Sequence, residues 1–367
     1  MSELRLIVPE NFSEFGEKVN KHLMQMRGTE DSFIVPIDLV RFNNGEGKGV
    51  IKDSIRDKDL YILSDVSNYD ISYKLYGRTH YMSPDEHFQD IKRILSAECG
   101  HALKRTLIMP YLYESRQDKK DTRESLDCAI ALRELVNLGV NEIVTCDVHN
   151  KSIMNAVPTT AFENMYLTDT MIIDWLAKED VLDLNDVICI SPDEGAMKRA
   201  RFFSEVLGNV SIGSFYKQRD YSVVVNGKNP IIEHKFLGPS DLTGKVAIVV
   251  DDMIASGGSI LDTAIQLKKL GAEKIYLMVT FALFTNGISK FEEYYNCGYF
   301  DKVYATNLSY VPEDIKNKEW FESVDCSYNM ANLINKVNYG RSIGEIIRGK
   351  SEVVTRVRDI RKERGLR

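Results

Sequence analysis

The sequence lacks long apolar runs and any pattern of paired cysteines. Its 367 residues include six cysteines, none of them in a Cys-x-x-Cys pair or a Cys/His cluster. Several lie inside apolar runs, so we expect reduced thiols in the core rather than disulfides or zinc ligands. No apolar run approaches the length of roughly 20 residues that crosses a membrane, and the first residues carry no signal-peptide core. These absences predict a cytoplasmic protein with no membrane partner.

An excess of positive charge is also missing, since the formal net charge is −7. A face that binds nucleic acid needs clustered Lys and Arg, so we expect no nucleic-acid partner, although small basic pockets for phosphates remain compatible with this balance. With 44% hydrophobic and 28% charged residues the chain has the composition of a globular protein. Its length favours two domains.

What the sequence does contain is an alternation of short apolar strands and amphipathic helices. The series runs twice, with a divide near residues 157–165. Such alternation indicates βαβ units in mainly parallel sheets, so we predict an α/β protein with two tandem doubly wound parallel-sheet domains. The predicted strands are Leu4–Val8, Leu60–Val66, Thr106–Met109, Glu142–Cys146, Val187–Ile190, Val210–Phe215, Val246–Val250, Lys274–Thr280 and Lys302–Ala305. The predicted helices are Ser13–Met26, Pro84–Ala97, Glu124–Leu138, Asp169–Ala177, Glu194–Val206, Ser259–Leu270, Met330–Lys336 and, as a solvated terminal helix, Ser351–Arg367.

The most informative stretch is KVAIVVDDMIASGGSILDTAIQLKKLG, residues 245–271. Its apolar run Val246–Val250 has the length and β-branching of a buried strand, and Asp251 and Asp252 follow that run directly. A small Gly-rich turn then opens an amphipathic helix, where free backbone N–H groups and the helix dipole favour phosphate. The acid pair suits two ribose hydroxyls or a hydrated Mg²⁺. An ordinary strand–helix turn with solvated acids is the alternative, but the paired acids and flanking hydroxyls favour a phosphate site.

Polar loops follow other predicted strands, at the edge of the sheet where open α/β proteins bind ligands. Arg116 begins a basic run, RQDKKDTR, that can hold a polyphosphate or form a solvated face. His149 is a candidate metal or phosphate ligand that could share a site with Asp193, or a structural histidine. Lys217 and Arg219 point the same way in an extended segment, at the base of a predicted hairpin around an Asn-Gly turn. They suit a lid that closes on phosphates, or they are incidental charges.

Two further segments are polar turns or loops by composition. RFNNGE, residues 41–46, has the Asn-Asn-Gly chemistry of a turn. Residues 68–87 form a Tyr-rich stretch that is long for a connection in a compact domain. We expect the second segment to be either functional or mobile.

Taken in order, these motifs resemble those of the ribose-phosphate pyrophosphokinase family over nearly the whole chain. The segments that carry the resemblance are RFNNGE, SRQDKKD, CDVHN, SPDEGAMKRA, the Lys-x-Arg of YKQR, VVDDMIASGGS and ATN. Type I phosphoribosyltransferases share only the phosphate motif VVDDMIASGGS. The resemblance therefore implies the type I phosphoribosyltransferase-like fold in both domains.

The resemblance also implies an activity. ATP would donate its β,γ-pyrophosphoryl group, with Mg²⁺, to the anomeric hydroxyl of ribose 5-phosphate, giving phosphoribosyl pyrophosphate and AMP. The base of ATP would be framed by residues from a neighbouring subunit, which implies a homo-oligomer built from dimers, up to a hexamer. The matching positions are, for ATP, Phe42, Asn44, Glu46, Arg116, Gln117 and Asp118; for the ribose phosphate, Asp251, Asp252, Ala255, Ser256, Gly257, Gly258 and Ser259; for Mg²⁺, His149 and Asp193; and for catalysis, Lys217, Arg219 and His149.

The chain departs from the family pattern in three places. Ala255 replaces a third acid after the DD pair, Asn44 replaces an acid of the base site, and residues 68–87 are longer than the resemblance leads one to expect. Loss of a negative charge at Ala255 would ease binding of a larger anionic acceptor such as ADP-ribose. Two rival functions are a phosphoribosyltransferase, which would need no ATP, and a non-catalytic regulatory paralogue. The expected domains are residues 1–160 with the ATP segment, 161–325 with the ribose-phosphate loop, and 326–367 packing back on the first.

Overall fold

The computed structural model describes residues 2–179, 183–219, 231–348 and 350–365, which divide into two compact units. Unit 1 comprises residues 1–167, 307–310 and 325–348, and unit 2 comprises residues 168–306, 311–324 and 349–367. The first limit lies at residue 167 rather than 160, residues 307–310 also belong to unit 1, and the last helix belongs to unit 2 although residues 325–348 belong to unit 1.

Unit 1 is built on a five-stranded sheet with the order β1-β4-β7-β8-β9, in which all neighbouring pairs are parallel. Strands β4 and β8 are buried along their whole length, as parallel strands covered on both faces should be. The elements of this unit are β1 (Leu4–Ile7), α1 (Ser13–Arg27), β2 (Ile37–Arg41), β3 (Gly47–Ile51), β4 (Asp59–Leu63), β5 (Ser72–Leu75), β6 (Arg78–Tyr81), α2 (Pro84–Glu98), β7 (Lys104–Ile108), α3 (Asp127–Asn137), β8 (Glu142–Cys146), β9 (Ala161–Met165), α9 (Ser327–Asn338) and α10 (Gly344–Arg348).

Unit 2 is built on a seven-stranded sheet with the order β12-β11-β10-β13-β14-β15-β16. Its pairs are parallel except for β11 with β12, which are antiparallel. The elements of this unit are α4 (Thr168–Lys178), β10 (Val187–Ser191), α5 (Met197–Val206), β11 (Ser211–Arg219), β12 (Ile231–Leu237), β13 (Val246–Ile254), α6 (Gly258–Lys269), β14 (Lys274–Ala282), α7 (Ser289–Asn296), β15 (Lys302–Thr306), α8 (Glu313–Lys316), β16 (Phe321–Val324) and α11 (Lys350–Arg364).

The α/β class with parallel sheets is confirmed, and the elements that the sequence missed lie at the edges of the sheets or outside them. Strands β9 and β16 are edge strands with polar residues in the middle, so they lack the apolar runs of the central strands. The hairpins β2–β3 and β5–β6 form separate two-stranded sheets. Their residues are only partly buried or exposed, so these hairpins lack the apolar runs of the central strands.

The C-terminal helix and two of the cysteines differ from expectation. Helix α11 is not a solvated helix, because Val353, Val357 and Ile360 are buried on the face that contacts α4 and α5. All six cysteines are free thiols, and four are buried, but Cys99 and Cys297 are exposed rather than part of the core. Within the described ranges, no helix is both long and apolar enough to cross a membrane.

Candidate active site

The acid pair of unit 2 lies within a strand rather than after it. Strand β13 continues through Asp251 and Asp252 to Ile254, because its parallel pairing with β14 continues that far. The side chain of Asp252 is buried, and its Oδ2 lies 3.7 Å from Nη2 of Arg199. The backbone N–H of Asp252 donates a 2.9 Å hydrogen bond to Oδ1 of Asp251. The pair therefore lies within a paired strand at the carboxyl edge of the sheet.

The electrostatics of this edge are unfavourable for negative charge. Burial raises the pKa of Asp251 well above its usual range, and the carboxylates of Asp252 and Asp193 raise it further. Arg199, with a side chain that is 13% exposed, is a cation beside Asp252. A site in which a single arginine only partly balances the charge of several carboxylates favours ligands that bring hydrogen-bond donors or a divalent cation. Ribose hydroxyls and hydrated Mg²⁺ both have this chemistry.

The Gly-rich turn that follows has the geometry of an anion site. Gly257 has a left-handed φ of +78°, and a Cβ at that position would lie 2.4 Å from Cε2 of Phe291. Gly258 begins the 12-residue helix α6, and a Cβ there would have no described atom within 4 Å. A side chain at Gly258 would thus meet open space, and the first backbone N–H groups of a helix bind anions. The N–H of Thr285 donates a 2.9 Å hydrogen bond to the carbonyl of Ala255 at the start of the turn.

Two neighbouring strands bring further predicted residues to the same edge. Strand β10 pairs with both β13 and β11, so the loop after β10 lies beside the acid pair. In that loop Oδ1 of Asp193 accepts a 3.2 Å hydrogen bond from the N–H of Ala196. Lys217 and Arg219 lie on β11, which extends beyond its predicted end, but their side chains are outside the described part of the structure. The predicted turn at Asn226-Gly227 is also outside it.

In unit 1, the loops after β7 and β8 hold another group of predicted residues. These strands are neighbours in the sheet, so their loops share its carboxyl edge. Arg116 and Gln117 are exposed, whereas Asp118 is half-buried and its Oδ2 has no hydrogen-bond partner among the described residues. The preceding Glu114 has a left-handed φ of 55°. Its pKa is raised by burial and by the nearby carboxylates of Asp127 and Asp85.

His149 is exposed on the loop after β8. The same loop contains Asp147, which is buried and has a φ of 40°, a conformation that non-glycine residues adopt at a cost of roughly 1–3 kcal/mol. His149 belongs to unit 1 and Asp193 to unit 2. The described residues contain no group of three or more His, Cys, Asp or Glu that could hold a metal ion. The assignment of these two residues to Mg²⁺ stays a prediction.

The RFNNGE turn connects β2 to β3 and presents an aromatic ring with polar groups beside it. Phe42 is 47% exposed. Nδ2 of Asn44 donates a 2.9 Å hydrogen bond to Oε2 of Glu46, and the N–H of Glu46 donates to Oδ1 of Asn44 at 3.2 Å. Gly45 has a left-handed φ of +93°, which the tight turn requires. An exposed ring with an amide and a carboxylate beside it has the groups needed to stack on a base and bind its edge.

Three residues have surroundings that the sequence patterns do not indicate. Arg199 has the pattern of a surface charge, yet it lies beside the acid pair, on the first turns of α5. Asp65, after β4, is buried, and its pKa is raised by burial to about 6 although it accepts hydrogen bonds from Ser67 and from the N–H of Tyr310. Asn307 of the ATN motif bonds to Asp325 and the N–H of Cys326, which is a structural role. The position of Asp65 shortly after an apolar strand is the feature of the sequence that could have indicated its role.

Comparison with known proteins decides the family. Residues 4–139 match the N-terminal domain of ribose phosphate pyrophosphokinase, and residues 217–348 match the phosphoribosyl synthetase-associated domain. The chain belongs to the ribose-phosphate pyrophosphokinase family. This places it among enzymes of the pyrophosphokinase type rather than among the phosphoribosyltransferases.

Individual relatives extend the match over most of the chain. The ribose-phosphate pyrophosphokinase of Synechococcus elongatus is 27% identical over 314 residues, which cover 85% of this chain and 84% of that protein. Ribose-phosphate pyrophosphokinase 2 of Schizosaccharomyces pombe is 25% identical over 347 residues, covering 93% and 96%. The crystal structure of phosphoribosylpyrophosphate synthetase from Mycobacterium smegmatis superposes with a TM-score of 0.75 at 22% identity, covering 92% of this chain and 99% of that one. The type I phosphoribosyltransferase-like fold is thereby confirmed.

Proposed function

We propose that the chain catalyses Mg²⁺-dependent transfer of the β,γ-pyrophosphoryl group of ATP to the anomeric hydroxyl of ribose 5-phosphate, giving phosphoribosyl pyrophosphate and AMP. The observation that carries the proposal is the arrangement in unit 2 of an acid pair on β13 shortly before the Gly-rich N-terminus of α6. That arrangement offers carboxylates to vicinal hydroxyls and N–H groups to a phosphate of the same small molecule. Membership of the pyrophosphokinase family supports the same reaction.

The acceptor would bind along the turn from β13 to α6. Asp251 and Asp252 accept hydrogen bonds from the ribose hydroxyls, which relieves the repulsion between the two carboxylates. The N–H groups and hydroxyls of Ser256–Ser259 bind the 5-phosphate at the helix N-terminus, where negative charge is favoured. Both contacts fix the sugar, so that its anomeric hydroxyl is held for attack, and positioning of this kind supplies much of the catalysis in phosphoryl-type transfer.

The donor would bind to residues of unit 1. Phe42 stacks on the adenine while Asn44 and Glu46 bind its edge, and Arg116, Gln117 and Asp118 hold the rest of ATP. Because the family resemblance assigns the Phe42 turn to the site of a neighbouring subunit, we also propose that the chain works as a homo-oligomer built from dimers.

Charge that develops on the transferred phosphorus needs cations beside it. Lys217 and Arg219, two residues apart on β11, are the proposed source of these cations. Mg²⁺ would be held by His149 and Asp193 and would neutralise the phosphate oxygens of ATP when bound. The carboxylate of Asp193 is the kind of oxygen ligand that Mg²⁺ prefers, and a metal that keeps several waters needs few protein ligands.

The test is AMP formation from ATP and Mg²⁺ with purified chain, with ribose 5-phosphate as acceptor. Lys217→Ala should lower kcat roughly 100- to 1,000-fold, as loss of a single group that stabilises transition-state charge does. Lys235→Ala is the matched control, because Lys235 is an exposed lysine on the paired strand β12. Equal turnover of the two variants would reject the role given to Lys217.

The choice of acceptor separates this reaction from its rivals. Ala255, in place of a third acid, favours a larger anionic acceptor, so the same assay is run with ADP-ribose. Preference for ADP-ribose would reassign the acceptor and keep the transfer. ATP binding without AMP formation from either acceptor would indicate a non-catalytic regulatory paralogue.

A further inference from the structure

We propose that the β5–β6 hairpin is a brace that holds the Phe42–Glu46 turn in its nucleotide-binding conformation. This inference rests on the proposed function, because it assigns a positioning role for the same nucleotide site. The hairpin lies within residues 68–87, the stretch that is longer than the family resemblance leads one to expect.

The turn needs support, because it ends a hairpin of only two strands. Among the described residues, strands β2 and β3 pair only with each other and form their own sheet, and a two-stranded hairpin is marginally stable in water where it does not pack on another element. Within the turn, the N–H of Phe42 bonds to the carbonyl of Glu46 at 2.8 Å, and the N–H of Gly45 bonds to the carbonyl of Phe42 at 2.9 Å. Water can replace these two hydrogen bonds, so they do not hold the conformation of the turn by themselves.

The tip of the second hairpin contacts this turn directly. The N–H of Tyr76 donates a 2.8 Å hydrogen bond to the carbonyl of Asn43. A Cβ at Gly45 would lie 3.3 Å from Cδ1 of Leu75, so the leucine side chain packs against the glycine. Tyr76 and Gly77 have φ values of 46° and +78°, the positive values that a two-residue hairpin loop favours, and this loop conformation directs the Tyr76 N–H.

The base of the second hairpin is fixed to helix α2. The hydroxyl of Tyr73 donates to Oε1 of Glu86 at 2.8 Å, and Nε2 of His80 lies 2.8 Å from Oε2 of the same residue. Glu86 also accepts from the N–H of Ser83 at 2.9 Å, as part of the capping box at the start of α2. One carboxylate thus ties both strands of the hairpin to the helix.

The first hairpin is tied to the same helix, so both hairpins share one frame. Arg41, which precedes the turn, forms an ion pair with the buried Asp90 of α2, and its guanidinium lies 5.6 Å from the centre of the Tyr73 ring. Arg93 pairs with Asp90 at 2.8 Å. A Cβ at Gly49 of β3 would lie 3.0 Å from the carbonyl oxygen of Arg93, which shows how closely β3 approaches α2. The brace therefore acts between elements of unit 1 that are already joined at their base.

The test compares Leu75→Ala with Lys74→Ala, a neighbouring residue on the exposed side of the same strand. Loss of the brace leaves a turn that must be ordered on binding, so Leu75→Ala should raise the KM for ATP about three- to tenfold with kcat and the KM for ribose 5-phosphate unchanged. A second variant replaces residues 72–81 with Gly-Gly, which is feasible because the N–H of Met82 already bonds to the carbonyl of Ile71 at 2.8 Å. It should raise the KM for ATP at least as much. Lys74→Ala should match the unmodified chain.

Two readouts do not depend on turnover. Binding of a fluorescent ATP analogue should weaken by the same factor as the KM for ATP rises. Hydrogen exchange at residues 43–46 should speed up in Leu75→Ala and not in Lys74→Ala. If the unmodified chain forms no AMP, the proposed function fails, and these measurements still test the brace.

Two results would overturn the proposal. One is an unchanged ATP affinity in the variant without residues 72–81. The other is a fall in thermal stability in which both KM values and kcat change together, because that pattern indicates a general structural role rather than positioning of the turn.

Discussion

Gly257 has a left-handed φ and no space for a side chain, so Gly257→Ala is a direct test of the proposed phosphate turn. A residue with a side chain at a left-handed position costs about 1–2 kcal/mol, and its Cβ would lie 2.4 Å from a ring carbon of Phe291. Phe291 cannot yield easily, because it is buried and packs against Trp320, 5.9 Å away between ring centres, and Phe284, 5.0 Å away. Overpacking of this kind costs about 1–3 kcal/mol. The free energy of unfolding should therefore fall by about 2–5 kcal/mol.

Gly258→Ala is the matched control, because Gly258 is the next residue and has open space around its Cβ position. Alanine there is compatible with the helix, so the stability of the chain should stay unchanged or rise by up to about 1 kcal/mol. The methyl group would occupy the space proposed for the 5-phosphate and raise the KM for the acceptor. Urea unfolding measures the first effect, with an expected fall of roughly 0.7 M or more in the midpoint for Gly257→Ala at a slope of about 3 kcal/mol per M. Equal midpoints in the two variants would refute the reasoning from the Phe291 contact.

Two further predictions concern the charges around the acid pair. The raised pKa of Asp251 means that the folded chain binds its proton more tightly than the unfolded chain, so stability falls as pH rises above the ordinary value of 3.8. Asp251→Asn should abolish turnover. It should also unfold at a higher urea concentration than the unmodified chain, and this difference should be larger at pH 7.5 than at pH 4.5. A difference that becomes smaller as the pH rises would contradict the assigned cause. Arg199→Ala removes the cation beside Asp252 and should raise the acceptor KM roughly tenfold, or about 1.4 kcal/mol. Lys198→Ala, which removes a charge one residue earlier, should leave that KM unchanged in the same steady-state assay.

The central strands were predictable from sequence because burial on both faces leaves a continuous apolar run. Strand β8 has the predicted limits, Glu142–Cys146. For strand β13 the apolar run predicts an end at Val250, but pairing with β14 carries the strand through the acid pair to Ile254. Apolar periodicity could not show this extension, because a backbone ladder continues through polar residues wherever a neighbouring strand is available.

Elements that are stabilised by contacts with residues distant in sequence were harder to predict from the sequence pattern. The β5–β6 hairpin has no apolar run, and its position depends on Glu86 of the following helix. The charged sequence of α11 indicated a solvated helix, yet Val353, Val357 and Ile360 form a narrow buried stripe. In the site, the motifs located the acid pair and the glycine turn, whereas the approach of Arg199 to Asp252 depends on how α5 packs beside β13.

The division of unit 1 among separate chain segments has a consequence for how the protein is made. Helix α9 contacts α1, and Nδ2 of Asn338 donates a 2.7 Å hydrogen bond to the buried Asp59. A ribosome that adds about 5–20 residues per second needs on the order of 10–40 s to proceed from residue 167 to residue 348. During that interval α1 and the start of β4 lack their final partner. Unit 1, although its sheet is the first to be synthesised, is therefore among the last parts of the protein to be completed, and the surface that α9 covers on α1 is where a nascent chain would need protection by a chaperone.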